Sequence, residues 1–168
     1  MTKVTRQVAV CGPRECTRQE AEWARAVGEL LARAGITVLC GGGSGVMAAV
    51  ATGAAEVGGL VIGVRPDTDR DAVCPGLSAV LFTNMGEARN AILVESADAV
   101  IVIGGSWGTL SEVALARRRG GIPVVSLGGW QIRDANGHPV AATVGAADPA
   151  DAVRRALDGI DSAPAEPT

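Results

Sequence analysis

The sequence predicts an α/β fold, a single Rossmann-like domain with a parallel sheet sandwiched between helices. Three observations predict it. Short apolar runs alternate along the chain with helical patterns. Several of those runs, above all Ala99-Val100-Ile101-Val102-Ile103, are apolar on both faces. The densest glycine runs directly follow two of them. A strand buried on both faces belongs to a parallel sheet covered by helices. The chain has 168 residues, and a domain takes roughly 100–200, so one domain is expected over 1–160, with 161–168 as a disordered tail.

The elements follow in order. Val8-Ala9-Val10-Cys11 reads as a buried strand ending at Gly12-Pro13. Thr17-Arg18-Gln19-Glu20 has the form of a capping box, in which hydroxyl and carboxylate satisfy each other's backbone amides. It opens a helix with Trp23, Val27, Leu30, Leu31 and Ala34 on one face and Gly35 at its end. Thr37-Val38-Leu39-Cys40 is the next strand, then Gly41 to Gly45 and an Ala-rich helix to about Val57. A third strand spans Leu60 to Val64, a polar stretch runs from Arg65 to Pro75, and a short strand lies near Ala79 to Phe82. Asn84-Met85-Gly86-Glu87 resembles a helix start, the helix reaching about Ser96. The strand over 99–103 leads into Gly104 to Thr109 and a helix to Arg119. Pro123 to Leu127 is a further strand. A loop or hairpin with Trp130 and His138 precedes a weak strand near Thr143-Val144, and Asp148-Pro149 caps a last helix.

Composition removes several function classes. Net charge is −3, and aromatics are only 2 % of the chain, so neither phosphate-polymer attraction nor a base-stacking platform is available for nucleic acid. No stretch reaches the roughly 18 apolar residues of a membrane span. The basic run Arg117-Arg118-Arg119 fits a helix end, where cations complement the dipole, or else a binding patch. Four cysteines without metal-type spacing suit a reducing cytoplasm. With one histidine, His138, in a turn-like Asn136-Gly137-His138-Pro139, histidine triads and His-rich metal sites are excluded. Chemistry is left to carboxylates, arginine, hydroxyls and backbone amides, with no metal and no required cofactor.

In doubly wound sheets ligands bind beyond the carboxyl ends of the strands, where both glycine runs fall. Gly41, Gly42, Gly43, Ser44 and Gly45 form the first. Glycine lets amides converge on an anion and lets it approach closely; the competing reading is a turn needed for tight strand–helix packing. Gly43 to Ala48 matches the dinucleotide pattern loosely, with no acidic residue closing the next strand. The second run is Gly104, Gly105, Ser106, Trp107, Gly108 and Thr109, continuing to Glu112. Thr109-x-x-Glu112 can be a capping box or part of a site.

These residues resemble the LOG family (Lonely Guy phosphoribohydrolases, often misannotated as lysine decarboxylases), whose signature is Gly-Gly-x-Gly-Thr-x-x-Glu after a buried strand. Gly41 to Met47 is similar to the family's Gly-Gly-Gly-x-x-Gly-Leu-Met element, one residue shorter. Gly86-Glu87-Ala88-Arg89-Asn90 stands where the family has Met-His-x-Arg-Lys. The resemblance runs from about Val8 to Leu157 and implies Arg89 and Glu112 as a catalytic pair. Ile103 replaces the family's Pro, and Glu87 and Asn90 replace its His and Lys, which brings the chain closer to the sister branch of molybdenum cofactor carrier proteins. The resemblance thus implies two functions. One is hydrolysis of a nucleoside 5′-monophosphate to free base and ribose 5-phosphate; the other is carriage of molybdenum cofactor or nucleotide as cargo without turnover. It also implies a homodimer or larger homo-oligomer.

The chemistry suits the residues. Two nests and Thr109 would anchor a phosphate, Glu112 would orient a water and offset charge on the sugar, and Arg89 would hold an anion or the departing base, unless it is an ordinary surface arginine. Glu87 and Asn90 are candidates for base or sugar contacts, or else plain surface residues. Trp107 stacks on a base or fills a hole in a dimer or core; Trp130 reads as a packing residue.

Overall fold

The computed structural model describes residues 4–162. Its strands are β1 (Gln7–Cys11), β2 (Thr37–Cys40), β3 (Val61–Arg65), β4 (Ala79–Phe82), β5 (Ala99–Ile103), β6 (Val124–Leu127) and β7 (Val144–Gly145). Its helices are α1 (Arg18–Arg33), α2 (Val46–Ala55), α3 (Arg89–Glu95), α4 (Trp107–Arg119) and α5 (Pro149–Ser162). The strands form one sheet in the order β4-β3-β2-β1-β5-β6-β7, and every pairing is parallel.

Strand alternation sends side chains into two cores. Val8, Val10, Val38 and Ile101 pack with α1, α2 and α5 on one face. Ala9, Cys11, Leu39, Val100 and Val102 pack with Leu93, Val94, Val113 and Ala116 of α3 and α4 on the other. Both faces are dry because helices cover both, as the doubly apolar strands require. α1 and α2 approach closely enough that glycine is needed at the contact: a Cβ on Gly53 would lie 2.7 Å from the Arg25 carbonyl carbon.

The helix ends follow their local sequence. Thr17 Oγ1 accepts from Glu20 N at 3.2 Å while the Glu20 carboxylate accepts from Thr17 N at 2.7 Å, which completes the capping box. Asp148 accepts from Asp151 N at 2.8 Å and caps α5. The three arginines Arg117 to Arg119 occupy the last turn of α4, next to Gly120.

The structure differs from the sequence reading in four places. No helix begins at Asn84: Asn84 and Gly86 have φ of 51° and 57°, incompatible with a right-handed helix, and a short 3₁₀ turn (Gly86–Ala88) leads into α3. β3 runs from Val61 to Arg65, since Arg65 still pairs with Phe82 of β4; its guanidinium is buried and held by Asp67 and the Ala72 carbonyl. The weak last strand is Val144–Gly145. Asp161 and Ser162, read as tail, close α5, and Asp161 pairs with Arg6 at 2.5 Å; residues 163–168 of the expected tail lie outside the described residues. The segment after β6 is a hairpin with a single antiparallel bridge, Arg133 to Pro139, its turn held by Asp134, which accepts from the amides of Asn136 and His138. Among the described residues no helix is long and apolar enough to cross a membrane.

β1 leads outward to β2, β3 and β4 on one side, while β5, β6 and β7 build the other. The winding reverses between β1 and β5, and a crevice opens beyond their carboxyl ends.

Candidate functional site

A cleft of about 740 Å³ occupies that crevice. The Gly12–Glu15 turn after β1 forms one wall and the Gly105–Thr109 segment after β5 the other; Met47, Glu87, Arg89, Asn90, Ser111 and Glu112 complete it.

Arg89 is only 5 % exposed, so it is not an ordinary surface arginine. Its position at the start of α3 aims the side chain back toward the sheet. Nη1 donates to the carbonyls of Gly41 (2.9 Å) and Val64, and Nε donates to Asn90 Oδ1 at 2.7 Å. Three of its five N–H groups are thereby fixed to protein, and the Nη2 donors have no acceptor among the described residues. Burial lowers its pKa, an effect opposed by Glu112 and Glu87.

Glu112 is also buried, in the second turn of α4. Burial pushes its carboxyl up to about 7, against the pull of Arg89 and a hydrogen bond with the Cys11 thiol. Burial also raises the Cys11 thiol well above its ordinary range, with Glu112 adding to the shift, so Cys11 is a neutral neighbour of the carboxyl. A carboxyl near neutrality can exchange a proton with a bound water or leaving group.

The capping-box reading of Thr109 and Glu112 does not hold. The helix begins three residues earlier than that reading needs: Ser106 is the N-cap, its Oγ accepting from Thr109 N at 3.2 Å and pairing with Thr109 Oγ1 at 2.9 Å. Glu112 is therefore free of end-capping duty. The amides of Gly105, Ser106, Trp107 and Gly108 have no acceptor among the described residues; the bonded ones begin with Thr109 N, held by Ser106 Oγ, and Leu110 N, held by the Ser106 carbonyl. Unpaired amides at the start of a helix favour an anion.

The first glycine run sits elsewhere. Gly41, Gly42 and Gly43 are buried behind the cleft wall, against the side chains of Arg89, Arg65 and Met47. Val46 N, the first amide of α2, donates to the Pro13 carbonyl, and Ser44 Oγ donates to the Arg14 carbonyl at 3.2 Å. Gly41 to Gly45 do not line the cleft; they touch it from behind, through the Gly41 carbonyl that holds Arg89 and the Ser44 hydroxyl bonded to the Arg14 carbonyl.

Asn90 is buried and relays between elements: its Nδ2 donates to Ser111 Oγ at 3.0 Å, and Ser111 Oγ donates to the Gly108 carbonyl at 2.7 Å. Glu87 is exposed at the cleft edge, 3.4 Å from Asn90 Nδ2. Trp107 is 78 % exposed and therefore fills no core hole within this chain; its ring meets Trp130 edge-on, with centroids 5.0 Å apart. Trp130 covers Gly105, where a Cβ would lie 2.6 Å from its ring. Sequence reasoning missed Gly12 to Glu15, Met47 and Ser111. The signal for the first was present, since Gly12-Pro13 follows the strand at which the winding reverses. Among the described residues no three His, Cys, Asp or Glu side chains come together as metal ligands.

The family model described as the SLOG cluster4 family matches residues 5–153. An uncharacterized protein of Archaeoglobus fulgidus is 42 % identical over 115 residues, which cover 68 % of this chain and 75 % of that protein. Among solved structures, the molybdenum cofactor binding protein from Rippkaea orientalis is 31 % identical with a TM-score of 0.80, over 91 % of this chain and 96 % of that one. The molybdenum cofactor carrier protein from Chlamydomonas reinhardtii is 30 % identical with a TM-score of 0.78, over 95 % of this chain and all of that one, 100 %.

Proposed function

The chain belongs to the SLOG cluster4 family, and we propose that it binds a phosphorylated nucleoside in the β1–β5 cleft and hydrolyses its N-glycosidic bond. The observation that carries this reading is the placement of four unpaired amides, Gly105 to Gly108, beside a buried Arg89 and a Glu112 carboxyl near neutrality in one cleft. In this reading the phosphate sits on those amides, with Thr109 beside them. Glu112 accepts a proton from water as the water oxygen bonds to the anomeric carbon. The electron pair of the breaking bond leaves with the base, which takes up a proton, and ribose 5-phosphate remains. The unbonded Nη2 donors of Arg89 stabilise the anionic side of the reaction. This is the LOG-type assignment of the Arg–Glu pair, carried onto Arg89 and Glu112; Gly41 to Gly45 act behind it by holding the arginine.

The test is incubation with AMP, GMP, CMP and a modified adenosine monophosphate, following free base by chromatography. Release from at least one supports hydrolysis; a folded protein that releases base from none overturns it. A second reading is favoured by the likeness to the two molybdenum cofactor proteins: the same cleft carries that cofactor, or a nucleotide, as cargo. Protection of the cofactor from oxidation, or a nucleotide-induced rise in melting temperature without base release, supports the carrier. Glu112→Ala separates the two, since it abolishes turnover in a hydrolase and is better tolerated by a carrier. Under either reading the ligand is a small molecule, and the protein is proposed to act in the cytoplasm as a homodimer or larger assembly.

A further inference from the structure

A second cavity, of about 500 Å³, lies beyond the ends of β5, β6 and β7, under the 128–146 segment. Gly105, Ser106 and Thr109 line both cavities, so a single stretch of backbone separates them. That stretch carries the unpaired amides. The two tryptophans straddle it: Trp107 borders the first cleft, Trp130 the second, and their rings touch edge-on.

The two spaces differ in chemistry. The first holds Arg14, Glu15, Glu87, Arg89 and Glu112. No charged side chain lines the second. Its walls are apolar, from Val102, Leu110, Val113 and Ile132, with the indole of Trp130 on one side. Polar side chains are neutral: the hydrogen-bonded hydroxyls of Ser126 and Thr143, 2.8 Å apart, those of Ser106 and Thr109 on the shared stretch, 2.9 Å apart, and Gln131. A volume of about 500 Å³ is within the roughly 300–1,000 Å³ of small-molecule sites, and apolar walls with a few placed polar groups are their usual make-up. Such a space takes a flat, uncharged heterocycle.

We propose that the second cavity is a subsite for the far half of a pyrophosphate-linked dinucleotide, whose phosphates rest on the Gly105–Gly108 amides and whose near half occupies the Arg89–Glu112 cleft. Those amides lie on the one stretch of backbone that borders both cavities, where a monophosphate ester carries a single substituent into one of them and two linked phosphates carry one into each. The inference rests on the reading that the first cleft takes a phosphorylated nucleoside.

The experiment compares AMP with two AMP units joined through their phosphates, by calorimetric titration of the full chain. The same base on both halves isolates the contribution of the second. The joined ligand is expected to bind at least tenfold tighter than AMP. Ala141→Trp, at an exposed position of the second cavity, and Ala142→Leu, at a half-buried one, fill that cavity. Each is expected to remove the gain and leave AMP affinity within twofold. Equal affinity for the two ligands, or a gain that both fillings leave intact, overturns the subsite while leaving the nucleoside reading in place. Binding of neither ligand overturns both readings. Binding of the joined ligand alone supports the subsite.

Discussion

Arg89 donates its Nε–H to the side-chain carbonyl of Asn90 at 2.7 Å, so two consecutive residues of α3 are locked as a unit inside the protein. The other end of the Asn90 amide reaches Ser111, and through it the Gly108 carbonyl. The orientation of the guanidinium and the shape of the turn at Gly108 are therefore mechanically joined.

Asn90→Leu tests that joint. It removes an acceptor from a buried arginine and a donor from Ser111, and an unsatisfied buried group costs about 1–3 kcal/mol. The midpoint of urea unfolding is expected to fall accordingly, and nucleotide affinity to drop. Asn90→Asp, which keeps the acceptor for Arg89, is expected to retain more of both. Equal loss in the two variants would show that the Arg89 contact is irrelevant.

Glu112 gives the fold a pH dependence of known sign. Its carboxyl lies at about 7 rather than 4.5 because burial favours the neutral form. The folded state then holds the proton more tightly than the unfolded chain between about pH 4.5 and 7. Stability from this group is complete below about pH 4.5 and is lost as pH rises through about 7, by on the order of 3 kcal/mol at ~1.4 kcal/mol per unit. Glu112→Gln cannot ionise. Its melting temperature, relative to the parent, is expected to be higher at about pH 8 than at about pH 4; a pH-independent difference would refute the assignment.

Ser106 and Trp107 are neighbours with opposite expected phenotypes. Ser106→Ala removes the cap of α4 and is expected to cost about 1 kcal/mol of stability. Trp107 is 78 % exposed, so Trp107→Ala is expected to stay within about 0.5 kcal/mol of the parent in stability. If a base stacks on the indole, the same change weakens nucleotide binding by about 1–3 kcal/mol. Thermal melts with and without nucleotide measure both.

Gly53→Ala pits propensity against sterics. Alanine favours a helix over glycine by about 1 kcal/mol, but here its Cβ would lie 2.7 Å from the Arg25 carbonyl carbon in α1. Backbone cannot yield as a side chain can, so overpacking of about 1–3 kcal/mol wins. A net destabilisation by urea titration is expected; a stabilised variant would mean that α1 and α2 slide freely.

Much of this was legible in the residues. The parallel sheet follows from strands apolar on both faces, and the ends of α1 and α5 follow from Thr17, Glu20 and Asp148, whose partners lie within three residues. The start of α3 was not, because Asn84 adopts positive φ without being glycine. Nor was the role of Glu112. Thr109-x-x-Glu112 reads equally well as a capping box or a site, and only the true N-cap, Ser106, decides between them. The two glycine runs look alike in sequence. What separates them is long-range: the Pro13 and Arg14 carbonyls close on the first, while the second keeps its amides open. Contacts between residues thirty or more apart leave no local pattern.

The reversal of winding between β1 and β5 also sets the order in which this protein becomes competent. The turn at Gly12 to Glu15 is made early in the chain, and its facing wall at Gly105 to Thr109 only after β5 has docked beside β1, with Val8 opposite Ala99. Parallel pairing over so long an intervening stretch is among the slower steps of folding. Any fragment that stops short of β5, however helical, has half a cleft. The two-walled cleft thus marks completion of the central strand pair, and a nascent chain acquires it only once β5 has been made.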